Sequence, residues 1–294
     1  MDSATIKQMA RSLAIPETGV CSAERDGLFA MFAEKRKAAF SFTEFETEEI
    51  EKKVNPALLL DNAKSVIVSI FPYYRSDLSS ANISCYAQTP DYHRVVRQYL
   101  DALAICIRKQ VPDAVLLPVC DTSPVMDRML AYRAGLGFFG KNNLLIHPRY
   151  GSYFFIGALI TDLPLEPDVP LTETCLDCGA CIASCPGRAL SENFGFDCER
   201  CVSYITQKKS VTEEQKAILQ GQSSVYGCDV CQRVCPHNQA LPDTTVAAFY
   251  EVTLHGLSKE TLVQLSNRGF KKEYQQYPFS WCSKDTLLKN FKEE

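Results

Sequence analysis

Residues 175–186 read CLDCGACIASCP, four cysteines within eleven residues and then a proline. The spacing is Cys175-x2-Cys178-x2-Cys181-x3-Cys185-Pro186. A second group follows, Cys228-x2-Cys231-x3-Cys235-Pro236, and CERCVSY between them holds Cys198 and Cys201. A cubane of four irons and four sulfides needs four thiolates converging on its corners. The x2 spacing lets thiolates of one tight loop reach three corners, and the cysteine held before proline reaches a neighbouring cluster. The pattern therefore predicts two [4Fe–4S] clusters with crossed ligation. One takes Cys175, Cys178, Cys181 and Cys235. The other takes Cys228, Cys231, Cys185 and one more, because Val234 stands where a two-cluster ferredoxin has its third cysteine; Cys198 and Cys201 are the candidates. Zinc is the simpler rival, but its sites pair two C-x2-C units a dozen or more residues apart, and four cysteines in one run fit that poorly.

The rest of the composition bounds what these thiols serve. The chain has 294 residues, 46 % hydrophobic, with a net charge of −4. That suffices for two domains with real cores, and bulk charge gives no general polyanion binder. No run approaches the 18 apolar residues of a membrane span, and the N-terminus lacks a signal-peptide pattern. A cytoplasmic protein is expected, in which thiols stay reduced. The six cysteines outside the two groups and Cys201 (Cys21, Cys85, Cys106, Cys120, Cys198, Cys282) read mostly as small buried hydrophobes.

Along the chain, FETEEIEKK (45–53) reads as a solvated helical face. AKSVIVSIFPYY (63–74) and AVLLPV (114–119) read as buried strands. From Tyr92, apolar residues at Val95, Val96, Tyr99, Leu100, Leu103 and Ile107 mark one face of a helix. CDTSP ends the second strand, with Ser123 as the cap and Pro124 as the first residue of a helix running to about Gly135. A glycine loop (135–140), a strand at NLLIH, a turn at PRYGS and a strand at YFFIGALIT follow. The expected fold is α+β: an α/β domain at 1–164, a ferredoxin-like two-cluster domain at 165–240 and a helical tail at 241–294. The boundary is set by LPLEPDVPL (163–171), with three prolines.

A two-cluster wire needs an acceptor. GLGFFGK (135–141) matches G-x-G-x-x-G, but it follows a helix and leads into a strand, the reverse of a dinucleotide fingerprint. Residues 128–161 hold Arg128, Arg133, Lys141 and Arg149 and no acid. They read either as scattered surface charge or as a phosphate pocket for a cofactor tail or RNA. Asp121 sits where a strand gives way to a helix, a frequent site position, although capping alone would explain it. His93 in DYH fits a site or a core.

Taken together, these residues resemble the epoxyqueuosine reductase family. The stretches that carry the resemblance are NPALLLDNAKSVIVSIFPYY, CYAQTPDYHRVVRQYL, CDTSPVMDRMLAYRAGLGFFGKNNLLIHPRYGSYFFIGALITDLPL, the first cysteine run, CVSYIT, YGCDVCQRVCPHN and FKKEYQQYPFSWCSKDTLLKN. They span the chain from about residue 55. The resemblance implies a cobalamin-binding domain related to the reductive dehalogenases, followed by a ferredoxin-like module. It implies reduction of epoxyqueuosine to queuosine at the wobble position of tRNA. It gives the eighth cluster ligand as Cys201 and the catalytic acid as Asp121, whose pKa burial would raise. Candidate cofactor contacts are His93, Arg128, Arg133, Lys141, Asn142 and Ser152. A monomer with tRNA as substrate and flavodoxin or ferredoxin as reductant is expected. The chain reads as a short form without the family's helical-repeat domain, and KRKAAFSFTEF departs from the family motif. Two alternatives are a corrinoid-dependent reductase of a small molecule and a two-cluster carrier or corrinoid activator.

Overall fold

In a computed structural model the described residues are 1–40, 42–78 and 81–292. They divide into two compact units. The first comprises 1–72, 92–140 and 144–176; the second comprises 73–91, 141–143 and 177–294.

The first unit is built on four antiparallel strands in the order β1-β2-β6-β3. These are β1 (Glu17–Ser22), β2 (Ser65–Pro72), β3 (Leu116–Val119) and β6 (Phe154–Thr161). A separate hairpin joins β4 (Phe138–Phe139) to β5 (Leu145–Ile146). The helices are α1 (Ser3–Ser12), α2 (Gly27–Ala39), α3 (Ile50–Val54), α4 (Tyr92–Gln110) and α5 (Asp127–Arg133). Helix and sheet mix as expected, and every pairing in the sheet is antiparallel.

All eight residues of β2 are buried, because helices cover both faces of the sheet. Val66, Val68 and Ile70 share a core with Met129, Leu130 and Ala131 of α5. On the opposite face, Gly157 of β6 leaves room for Val96 and Leu100 of α4, the alternation a strand imposes. The periodic run from Tyr92 is α4, with Val95, Val96, Leu100, Leu103 and Ile107 buried. Pro118 is tolerated because β3 lies at the sheet edge. The G-x-G-x-x-G segment forms β4 and its approach, not a phosphate turn.

Two local expectations change. The helix after CDTSP begins at Asp127, not at Pro124, and Met126 is its N-cap with no side-chain bond. A tight turn at Asp121, described below, precedes it. The charge run 45–53 is not a plain solvated face. Lys53 is buried, and Glu46 pairs with both Lys53 (2.6 Å) and Arg36 (2.8 Å).

The second unit holds α6 (Ala180–Ser184), the hairpin of β7 (Leu190–Ser191) and β8 (Gly195–Phe196), α7 (Val202–Ile205), α8 (Glu213–Gln220), α9 (Val230–Arg233), α10 (Lys259–Gln264), α11 (Asn267–Tyr274) and α12 (Lys284–Leu288). Thr212 and Gln215 close a capping box on α8. Residues 241–294 are no detached tail. Leu262, Phe270, Phe279 and Leu287 share one core with Ile83, Ala87 and Tyr226. The stretch 163–171 is irregular, as its prolines require, but Asp168 binds back to Val20 by both backbone and side chain at 2.8 Å. The first unit therefore runs on to residue 176.

Candidate functional site

Two groupings of side chains in the structure have chemical potential. The first gathers at the end of β3. Asp121 adopts a left-handed backbone, φ 56°, and the Thr122 N–H donates across it to the Cys120 carbonyl at 2.5 Å. This three-residue turn presents the Asp121 carboxylate to the start of α4. There Tyr92 donates its hydroxyl hydrogen to Asp121 Oδ2, and His93 Nε2 lies 3.3 Å from the same oxygen. The Tyr92 ring is fixed by stacking on Phe155 at 4.1 Å and on His93 at 4.0 Å.

The electrostatics differ from expectation. The Asp121 side chain is 57 % exposed. Crowding by protein still acts to raise its pKa, but hydrogen bonds from His93 and Tyr92 outweigh that and hold it below the ordinary carboxylate value. The raised pKa falls on Asp127 instead. Burial and the neighbouring Asp121 charge push it up to about 7. Asp127 is the first residue of α5, and its Oδ2 accepts the Asp121 backbone N–H at 3.1 Å. Capping thus runs opposite to the simplest expectation, with the helix's first acid serving the preceding turn. Arg128 reaches solvent, yet crowding by protein lowers its pKa, as does Arg36; Glu46 and Asp127 oppose this.

The remaining sequence candidates separate. Arg133 is committed to structure, donating to the Glu24 carbonyl at 3.0 Å and pairing with Asp26 at 3.4 Å. Lys141 pairs with Asp177 and Glu192. Folding therefore supplies acids to Arg133 and Lys141 that residues 128–161 themselves lack. Arg149 lies over its neighbour Tyr150. Asn142 and Ser152 are buried. Tyr92 and Asp127 were missed by sequence reasoning: Tyr92 fits the apolar face of α4, and Asp127 looks like an ordinary first-turn acid. The adjacent pair in DYH was the available signal for Tyr92.

The second grouping is of thiols. All fourteen cysteines are free. Cys185, Cys201, Cys228 and Cys231 lie together. Burial raises the thiol pKa of Cys228 to about 12, and nearby Cys201 and Cys185 add to it. Cys231 rises for the same reason, burial first, then Cys228, Cys201 and Cys185. Three of the four sulfurs also receive backbone N–H groups: Cys185 from Ala189 at 3.3 Å, Cys201 from Ser203 and Tyr204, and Cys228 from Val230. Such donors suit sulfurs that carry negative charge, as cluster thiolates do. Among the described residues no three His, Cys, Asp or Glu are set to hold a single metal ion. A cubane spaces its ligands more widely, because irons and sulfides lie between them. Cys181 lies on α6, which packs against α9 carrying Cys231. Cys178 and Cys235 flank these helices. Cys175 belongs to the last residues of the first unit.

A thiol-rich module and a carboxylate site on an α+β unit together define an iron–sulfur oxidoreductase. A model described as "4Fe-4S double cluster binding domain" matches residues 174–238, and one described as "Epoxyqueuosine reductase QueG, DUF1730" matches residues 53–122. The epoxyqueuosine reductase of Staphylococcus aureus is 34 % identical over 84 % of this chain and 67 % of its own length. That of Lactococcus garvieae is 31 % identical over 97 % and 84 %. Among solved structures, an epoxyqueuosine reductase with a tRNA-Tyr epoxyqueuosine-modified stem loop superposes at a TM-score of 0.89 with 31 % identity, covering 98 % of this chain and 79 % of that one. The Bacillus subtilis enzyme, solved with an aspartate catalytic loop swung out of its active site, gives 0.88 with 30 % identity over the same shares. The chain belongs to the epoxyqueuosine reductase family.

Proposed function

We infer that this protein reduces epoxyqueuosine to queuosine in tRNA, with Asp121 handling the proton. The observation that carries the reading is the meeting of Tyr92 and His93 on one oxygen of Asp121 in a chain of this family. We assign one [4Fe–4S] cluster to Cys175, Cys178, Cys181 and Cys235, and the other to Cys185, Cys201, Cys228 and Cys231. The backbone N–H groups aimed at the latter sulfurs support this. A corrinoid fits beside Asp121 by two marks: the buried Ser123 Oγ has no protein partner among the described residues, and His93 and Arg128 stand nearby. When bound, it would supply low-potential electrons from the clusters to the epoxide carbon. A reductant such as flavodoxin or ferredoxin would feed the clusters.

The overall change consumes two electrons and two protons: the epoxide oxygen leaves as water and the ring gains a double bond. The protein must deliver a proton to the oxygen and keep bulk water away. Asp121 is ionised at neutral pH in the open site, since its donors hold its pKa down. A proton reaches it from His93 Nε2 or the Tyr92 hydroxyl, both already facing Oδ2. Covering the site strengthens desolvation, the largest cause acting to raise its pKa, so substrate binding favours the protonated acid.

The test is anaerobic turnover of an epoxyqueuosine-modified tRNA stem loop by protein loaded with iron, sulfide and cobalamin, with the nucleosides read by mass spectrometry. Loss of one oxygen from the modified base is expected. No conversion by protein holding both clusters and corrinoid would overturn the reading.

A further inference from the structure

We propose that Asp127 is a positioning residue for Asp121: its carboxylate receives the Asp121 backbone N–H and so holds that residue in the left-handed turn that aims its own carboxylate at Tyr92 and His93. This rests on the reading of Asp121 as the proton-handling group.

The turn is unusual. A residue with a side chain is uncommon at φ 56°, although Asp is among those that adopt it most readily, and such conformations persist where surrounding structure supports them. The short Thr122-to-Cys120 bond closes the turn but leaves its direction unfixed. Asp127 supplies that fix. Its backbone begins α5, whose next turn is anchored by Met129, Leu130 and Ala131, none of them exposed. The preceding residue, Met126, donates its N–H to the Lys53 carbonyl at 2.9 Å. A carboxylate on so firm a base, 3.1 Å from the Asp121 nitrogen, is a fixed post. The Asp121 turn pivots on it.

The groups facing Asp127 are Asp121, Arg128 and His93, and Arg128 in turn faces Arg36 and Glu46. Burial and the charge of Asp121 place the loss of the Asp127 proton at about pH 7. An ionised carboxylate accepts more strongly than a neutral acid. The hold on the Asp121 N–H therefore tightens as pH rises through neutrality. This gives the bond a pH signature, and the split between kcat and KM below separates positioning of Asp121 from a merely structural role.

The experiment labels aspartate with nitrogen-15 in the full chain carrying its clusters and follows the Asp121 amide proton across neutral pH. We expect a downfield movement with a midpoint near 7 that disappears in Asp127→Asn. In the loaded enzyme, Asp127→Ala should lower kcat about 10- to 100-fold, the scale of a small misplacement of a reacting group, with KM for the stem loop changed less than about twofold. Asp127→Asn keeps an acceptor oxygen and should restore most of that loss. An Asp121 amide that ignores pH in the unsubstituted protein overturns the inference, and so does an Asp127→Ala enzyme with full kcat. If Asp127→Ala fails to fold, Asp127→Asn carries the amide test alone. Full turnover by Asp121→Asn would instead remove the reading beneath, and the amide titration would still decide what Asp127 does.

Discussion

Two hydrogen-bond donors, Tyr92 and His93, meet one oxygen of Asp121. In Asp121→Asn the Oδ2 position becomes a weaker, uncharged acceptor, or a donor facing two donors. We expect both clusters and RNA binding to survive while turnover falls at least about 100-fold, the lower range of general acid–base catalysis. Iron content, stem-loop affinity and kcat measured on one preparation check this. Glu46 gives a second expectation at this scale. Burial opposes its charge, yet Arg36 and Lys53 hold its pKa at about 2 against 4.5 unperturbed. A depressed carboxylate adds stability above the unfolded pKa and loses it as pH falls toward the folded one. The shift corresponds to about 3 kcal/mol. Glu46→Gln should thus cost about that much in urea unfolding at neutral pH, and the gap should close as the pH drops from 4.5 toward about 2. An equal gap at both ends would mean that packing, not charge, is what Glu46 provides. Nothing in FETEEIEKK announces this, because a charge run reveals its partners only when Arg36 is folded onto it.

Between elements, the decisive approach is that of the segment after Cys185 to the segment before Cys201. Gly187 has no room for a side chain: an added Cβ would lie 1.7 Å from the Arg200 carbonyl oxygen. Arg200 Nε also donates to the Gly187 carbonyl at 2.8 Å. Arg200 precedes Cys201 and Gly187 lies two residues after Cys185, both assigned ligands, so this contact brings the two cysteines together. Gly187→Ala must push backbone from backbone. We expect iron to fall from about eight to about four per chain, with the set of Cys185, Cys201, Cys228 and Cys231 lost and the other kept. Iron analysis with electron paramagnetic resonance of the reduced protein checks it; eight irons would show that the segments can part without cost to the cluster. The C-x2-C runs were legible because ligation imposes spacing along the chain. Cys201 could not be separated from Cys198 by spacing alone, since its place is fixed by a glycine fourteen residues earlier. The place of Asp121 just after a strand was legible. Its electrostatics were not, because they depend on Tyr92 and His93 arriving from α4.

For the whole molecule, the chain's path between its units matters most. It leaves the first unit at residue 73, returns at 92, crosses again for 141–143 and enters the second for good at 177. In sequence the excursion 73–91 falls within the expected first domain, 1–164. In the structure its described residues belong to the second unit. Ile83 pairs with Tyr226 as a parallel bridge, Asn82 exchanges side-chain bonds with Leu257 at 2.7 and 2.8 Å, and the Cys85 N–H reaches the buried Asp229 carboxylate at 2.7 Å. Asp229 stands between two cluster cysteines, Cys228 and Cys231. A fragment of residues 177–294, which keeps seven of the eight assigned ligands, therefore lacks what fills its core. Losing Ile83 alone would cost several kcal/mol, about the 2–5 of a large aliphatic removed from a core. We expect this fragment to remain unfolded and to hold no stable cluster, and a peptide of residues 73–91 added in trans to raise its iron uptake and helical circular dichroism together. A fragment that folds and keeps the Cys185, Cys201, Cys228 and Cys231 cluster unaided would show that the excursion is a passenger. It would restore the simpler division of the chain that its prolines suggest.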